Sequence, residues 1–295
     1  MEGGKYSEIA VLGVPSFCFS GFGRDFISSG WEAVHFYGES SGKTKLIIDV
    51  NANGRGPLFQ GYVLFKQLFP SILPYDATRF RAFESTNLIG KKYSEVIGQV
   101  PRKLDTSNAT LTEIASDIVS SVFNYRTDVN INYKNFPSYA AKFGPQHYYG
   151  GNFTNIIRRN LSDVLAPLNG GGIYITGDGN LTNVTKPFAA EDVIIITDGY
   201  CASTCTIFSE LMRQQVGIKT IAMGGRSRHG ISQAVGGVKG TNDFPWDYIQ
   251  NLVQVAYAYA TPEEPEEQAT TTRPSRAITT ANFPFTALPL APLTM

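Results

Sequence analysis

Several function classes leave no trace in this chain. No apolar run reaches the roughly 18 residues that a bilayer-crossing helix needs. The opening MEGGKYSEIAVLGVPSF has no basic segment followed by a continuous apolar one, so neither membrane anchor nor signal peptide is expected within this sequence. The 25 basic and 25 acidic residues cancel, and no Lys/Arg block or basic helical stripe stands out; electrostatic capture of nucleic acid is therefore not expected. Neither G-x-G-x-x-G nor G-x4-G-K-S/T occurs, which argues against a phosphate-cradling loop and a nucleotide role. Cysteine is scarce: Cys18, Cys201 and Cys205 are too few for a disulfide scaffold, and their spacing without nearby His or Cys partners is poor for zinc. Cys201 and Cys205 lie i, i+4 across Ser203, where burial as small hydrophobes is the expected role.

What is present is a globular chain. With 295 residues and a hydrophobic fraction of 42%, it can build a real core of one large or two ordinary domains. Short β-branched runs bounded by turn residues predict buried strands at 8–14 (EIAVLGV), 45–50 (KLIIDV), 172–176 (GIYIT), 192–197 (DVIIIT) and 219–223 (KTIAM). Apolar residues at helical spacing predict helices at 24–38, 58–69 and 111–125, the last capped by Asn108 or Thr110. Strands alternating with helices favour an α/β fold with a parallel sheet and right-handed crossovers. Residues 129–153, rich in Asn, Tyr, Phe and Gly, predict a long structured loop or cap. The Pro/Thr/Glu-rich stretch 261–295 has no period and predicts a disordered or weakly packed tail. The expected organisation is one domain over 1–260, with 70–170 as an insertion or cap, followed by that tail.

Two segments carry candidate chemistry. After the strand 192–197 comes DGYCASTCTIFSELM: a glycine turn, small residues around Ser203, then a helical pattern. Such a strand-to-helix turn presents a nucleophile beside the orphan N–H groups of the first helical turn, which favour a developing oxyanion. The same local pattern also fits a serine that merely caps a helix. The second segment, DVNANGRG at 49–56, repeats the strand, glycine loop and helix order, and its glycines let backbone approach a ligand closely. A tight turn is the plainer reading there.

The segments KTKLIIDVNANGRGPLFQGYVLFKQLFPSI, VIIITDGYCASTCTIFSELMRQQVGIKTIAMGGR and QAVGGVKG resemble the peptidase domain of the tail-specific (C-terminal processing) serine proteases. More closely they resemble the fungal secreted branch related to the chlamydial protease-like activity factor. The resemblance covers residues 8–240. It implies a crotonase-like (ClpP-like) β/α spiral core, expected to be incomplete at the N-terminus, that hydrolyses peptide bonds of a peptide or protein substrate without metal or organic cofactor. It makes Ser203 the nucleophile, and the N–H of Thr204 with an N–H from the loop holding Gly54 and Gly56 the oxyanion hole. Arg55 stands where family members usually have glycine.

The resemblance leaves the general base open. Bacterial members use a lysine in G-K-G-x-x-Q; the matching stretch here runs from Arg228 to Gln233 and puts His229 in its place. The chlamydial-type branch uses a histidine from an upstream D-G-H-F-like segment and a glutamate after the serine. This sequence is expected to begin after that upstream segment. His35 reads as a solvated helix-end residue and His147 as a loop residue within possible reach, while Glu263 and Glu264 are placed as acids or as part of a solvated tail. The resemblance and five Asn-x-Ser/Thr sequons, at Asn108, Asn152, Asn160, Asn180 and Asn183, imply secretion. Two rival readings stand beside the peptidase: a non-catalytic peptide-binding protein on the same core, and an acyl-CoA enzyme of the crotonase type, in which the serine turn would have no role. Nothing in the sequence fixes oligomeric state.

Overall fold

A computed structural model describes residues 6–17, 42–97, 107, 123–161, 185–225, 227, 230, 234–236, 246–259 and 291–292. In chain order its elements are β1 (Ile9–Gly13), β2 (Lys45–Asp49), α1 (Leu58–Leu68), β3 (Thr78–Arg79), α2 (Glu84–Ile97), β4 (Asp128–Asn130), α3 (Tyr139–Phe143), β5 (Gln146–Tyr148), β6 (Gly151–Phe153), β7 (Ile157–Arg159), β8 (Val193–Thr197), α4 (Thr204–Val216), β9 (Lys219–Ala222), α5 (Trp246–Ala258) and β10 (Ala291–Pro292). The chain divides into two compact units: residues 1–75 with 170–241, and residues 76–169 with 242–295.

Unit 1 is α/β. Its four described strands form a parallel sheet in the order β1, β2, β8, β9. Alternation along β8 buries Val193, Ile195 and Thr197, and Ile48 of β2 is fully buried. The register Leu46↔Val193 through Asp49↔Ile196 ends the two central strands together. Because they are parallel, the loop after each leaves from the same edge of the sheet. Each loop then feeds a helix. α1 is buried from Phe59 to Leu68, and α4 packs on it. The crossing is close because of Gly61: a Cβ there would meet Thr204 Cγ2 at 3.0 Å and the Thr204 carbonyl at 3.1 Å. Phe17 and Phe208, both fully buried, meet at 5.9 Å between ring centroids. α4 ends on Gly217 at φ 81°, whose N–H closes on the Arg213 carbonyl.

Unit 2 corrects one expectation. Residues 129–153 are not one long loop; they carry the end of β4, the helix α3 and the β5–β6 hairpin. The strands β10, β3, β7 and β4 form an antiparallel sheet. Each is only two or three residues long, too short for an alternation to show in sequence. Buried ion pairs hold this unit: Lys142 to Asp128 at 2.7 Å, Arg159 to Asp128 at 3.3 Å, and Arg158 to Asp76. Ser138 caps α3 by accepting from the Ala141 N–H. Tyr93, Phe80, Phe123, Ile157 and Leu252 form its apolar core, and the Tyr93 hydroxyl donates to the Leu252 carbonyl.

Within the stretch expected to be a weakly packed tail, Ala291–Pro292 pairs with β3. The rest of that stretch, the predicted helix at 24–38, residues 111–122 of the helix predicted at 111–125, and the strand at 172–176 lie outside the described residues, while 123–125 are described and are not helical.

Candidate active site

The site lies in unit 1, where the loops after β2 and β8 meet. Ser203 precedes the first residue of α4 with φ 57° and ψ −124°. A non-glycine residue rarely adopts such a backbone, at a cost on the order of 1–3 kcal/mol, and persists there only when its surroundings enforce it. A serine that capped the helix would have extended dihedrals and a hydroxyl turned onto the first-turn N–H groups. Ser203 has neither; its side chain makes no capping hydrogen bond and is half-buried. The geometry is that of a sharp elbow that lifts the hydroxyl clear of its own helix.

Four contacts enforce this turn. The Ala202 N–H donates to the Asn53 carbonyl at 3.2 Å, and the Thr204 hydroxyl donates to the Gly56 carbonyl. The Gly236 N–H, from the QAVGGVKG segment, donates to the Cys201 carbonyl at 2.7 Å, and a Cβ on Gly236 would meet the Gly199 carbonyl at 2.7 Å. The fourth is covalent. Cys201 and Cys205 are joined by a disulfide that closes a ring around Ser203. Both cysteines are fully buried, as expected, but they are bonded rather than acting as separate small hydrophobes. The helix begins only at Thr204, so Cys201 lies before it, and the turn rather than helical spacing brings the two Cα atoms to 5.3 Å, within bonding reach.

The loop at 51–56 is held with its carbonyls turned away from solvent partners. The Arg55 carbonyl accepts from the Phe17 N–H at 3.1 Å and from the Ser16 hydroxyl at 3.4 Å, and the Gly56 carbonyl accepts from Thr204. Asn53, fully buried, donates through Nδ2 to the Val14 carbonyl at 2.7 Å. The N–H groups of Gly54, Arg55, Gly56, Ser203 and Thr204 have no acceptor among the described residues. Both loops thus carry N–H donors without an acceptor among the described residues, the kind of group an oxyanion requires. Arg55 is exposed.

Asp198 ties the two loops together, a role the sequence did not reveal. One carboxylate oxygen accepts from the Tyr200 N–H and the other from the Ala52 N–H, each at 2.9 Å. Those two donors, Tyr200 first, hold its carboxyl below the usual carboxylate range although the residue is exposed. A D-G-Y turn hints at the first bond; the second joins residues 146 apart in sequence. Tyr200, 63% exposed, overlies Gly54, where a Cβ would come within 2.7 Å of its ring.

Of the three candidate histidines, one is described. His229 and His35 lie outside the described residues, as do Glu263 and Glu264. His147 is in unit 2, exposed on β5, with Nδ1 3.1 Å from Asn152 Oδ1. Among the described residues no cluster of His, Cys, Asp and Glu could hold a metal ion.

Comparison with known proteins gives relatives of one kind. The chain is 31% identical over 259 residues to the peptidase S41 family protein phomP1′ of Diaporthe leptostromiformis, a match covering 87% of this chain and 37% of that protein. It is 32% identical over 238 residues to the peptidase S41 family protein ustP of Aspergillus flavus, covering 80% of this chain and 47% of the relative. The chain thus spans less than half the length of these relatives. No family model and no solved structure matches it.

Proposed function

From this kinship with fungal peptidase S41 family proteins, we propose that the chain carries the nucleophile-bearing part of a tail-specific serine peptidase of the fungal secreted branch, with a crotonase-like core. The observation that carries the reading is the Ser203 elbow: a strained, uncapped serine at a helix start, on a turn bonded to a second loop whose Gly54, Arg55 and Gly56 N–H groups have no acceptor among the described residues.

In this reading the Ser203 Oγ attacks the carbonyl carbon of a peptide bond while a general base takes its proton. The carbonyl oxygen gains negative charge and is met by the N–H of Thr204 and those of Gly54 and Gly56. The proton then passes to the leaving amine, the C–N bond breaks, and water hydrolyses the acyl-serine ester, regenerating the hydroxyl. His229 is proposed as the base. Each oxyanion donor is worth about 10²–10³ in rate and the base about 10²–10⁴. The Cys201–Cys205 disulfide supports secretion, because such bonds persist in oxidising compartments.

The test is labelling by a fluorophosphonate probe, with mass mapping of the modified peptide, and cleavage of an unfolded protein such as casein. Labelling confined to Ser203 and lost in Ser203→Ala, with cleavage lost in parallel, is expected. A protein that neither labels at Ser203 nor cleaves is not this peptidase. His229→Ala slowing the labelling without preventing folding supports the assigned base; an unchanged rate removes it.

A further inference from the structure

Unit 2 contains a cavity of about 480 Å³ that is separate in sequence from the serine site. Arg79, on β3, lines it. Only 8% of Arg79 is exposed, and no carboxylate lies within ion-pair distance of it among the described residues. Its Nε–H is buried and has no hydrogen-bond acceptor. Among the described residues the other buried cations of this unit have carboxylate partners: Lys142 holds Asp128, Arg158 holds Asp76, and Lys92 holds Glu95. A buried guanidinium without a counter-charge is costly, and an unsatisfied buried donor of this kind calls for a partner.

The chemistry around Arg79 defines what that partner is. Its Cζ sits 4.0 Å from the centroid of the Tyr148 ring and 5.1 Å from that of Phe153. Aromatic rings occupy the face of a guanidinium and leave its edge, where the N–H groups lie, for an acceptor. The edge of a guanidinium matches a planar carboxylate. Among the described residues no Asp or Glu lines the cavity to repel an anion, and Ile131, Phe136 and Ile156 give it an apolar wall. We infer that this cavity is a binding site for a carboxylate carried on a small apolar or aromatic body, with Arg79 as its anchor and Tyr148 as the plate that orients the anchor.

The probes are phenylacetate, its neutral isostere phenylacetamide, and inorganic phosphate, titrated into the full chain by saturation-transfer NMR and calorimetry. Phenylacetate is expected to bind at least tenfold more tightly than phenylacetamide, with phosphate weaker than phenylacetate. Arg79→Gln is expected to lower phenylacetate affinity at least tenfold. Ala141→Leu, which keeps Arg79 but fills the cavity, is expected to do the same, and it decides the matter if Arg79→Gln fails to fold. No binding of phenylacetate, equal affinity for acid and amide, phosphate binding more tightly than phenylacetate, or affinity that survives Ala141→Leu would each overturn the assignment. Ser203→Ala leaves this binding intact, so the result is independent of whether the serine is catalytic.

Discussion

At Ser203 the backbone does what the side chain alone could not announce. A serine before a helix normally relieves orphan N–H groups with its own hydroxyl; here φ 57° turns the hydroxyl away and leaves those groups for something else. The disulfide bears directly on this. In the chain-entropy description, closing so short a ring is worth about 2 kcal/mol. Cys201→Ala with Cys205→Ala is expected to lower stability by about that much. In the proposed peptidase it should also slow fluorophosphonate labelling of Ser203 at temperatures where the variant remains folded. Thermal unfolding and labelling rates read the two effects separately, and an unchanged labelling rate would show that the ring only stabilises. Asp198 sets a pH dependence. Its carboxyl titrates lower in the folded protein than in the unfolded chain, so its contribution is fully present above the ordinary carboxylate pKa and is lost as pH falls through the depressed value. Wild-type stability should therefore decline on the acid side, and Asp198→Asn should flatten part of that decline and slow labelling at neutral pH, as denaturant titrations across pH and probe kinetics would show.

Among the elements, the loop between β2 and α1 is the most demanding. Gly54 and Gly56 are two residues apart, yet they meet different neighbours. A Cβ on Gly54 would press on the far side of the exposed Tyr200 ring, which can swing away. A Cβ on Gly56 would fall 2.7 Å from Phe17 Cα and 2.6 Å from its carbonyl carbon, where nothing can move cheaply. Gly56→Ala is expected to cost about 1–3 kcal/mol or more and Gly54→Ala less than 1 kcal/mol, by urea unfolding. The helices and strands flanking this loop were legible in sequence. β2 and β8 are β-branched runs bounded by turn residues, and α1 repeats its apolar residues every three to four positions. The elements of residues 129–153 were not. A three-residue strand carries no period, and what fixes it comes from distant residues, such as Asp76 binding Arg158 across 82 positions.

Taken whole, the molecule is two compact units, each built from two separate stretches of chain. Unit 2 buries several charged side chains, Asp76, Asp128, Lys142 and Arg158 among them. Asp128→Asn would remove the carboxylate that pairs with the fully buried Lys142, whose ammonium also donates to the Asn124 carbonyl at 2.8 Å. Breaking one side of a buried pair costs about 3–5 kcal/mol, so this substitution should lower the unfolding free energy by that order, with protection from hydrogen exchange lost in peptides of residues 76–161.

The sequence by itself determined the two strand, glycine loop and helix segments and marked Ser203 as the residue to explain. Those features depend on neighbours a few positions away: β-branching, apolar period, and glycine where backbone must turn. It left open whether Ser203 caps or is presented, what its flanking cysteines do, and what Asp198 holds. Tertiary structure decided these, because each answer depends on groups brought together by packing. Parallel pairing of β2 with β8 ends both strands on one edge, and only there do the Asn53 carbonyl, the Gly56 carbonyl and Gly236 come within reach of the turn and force Ser203 into its elbow.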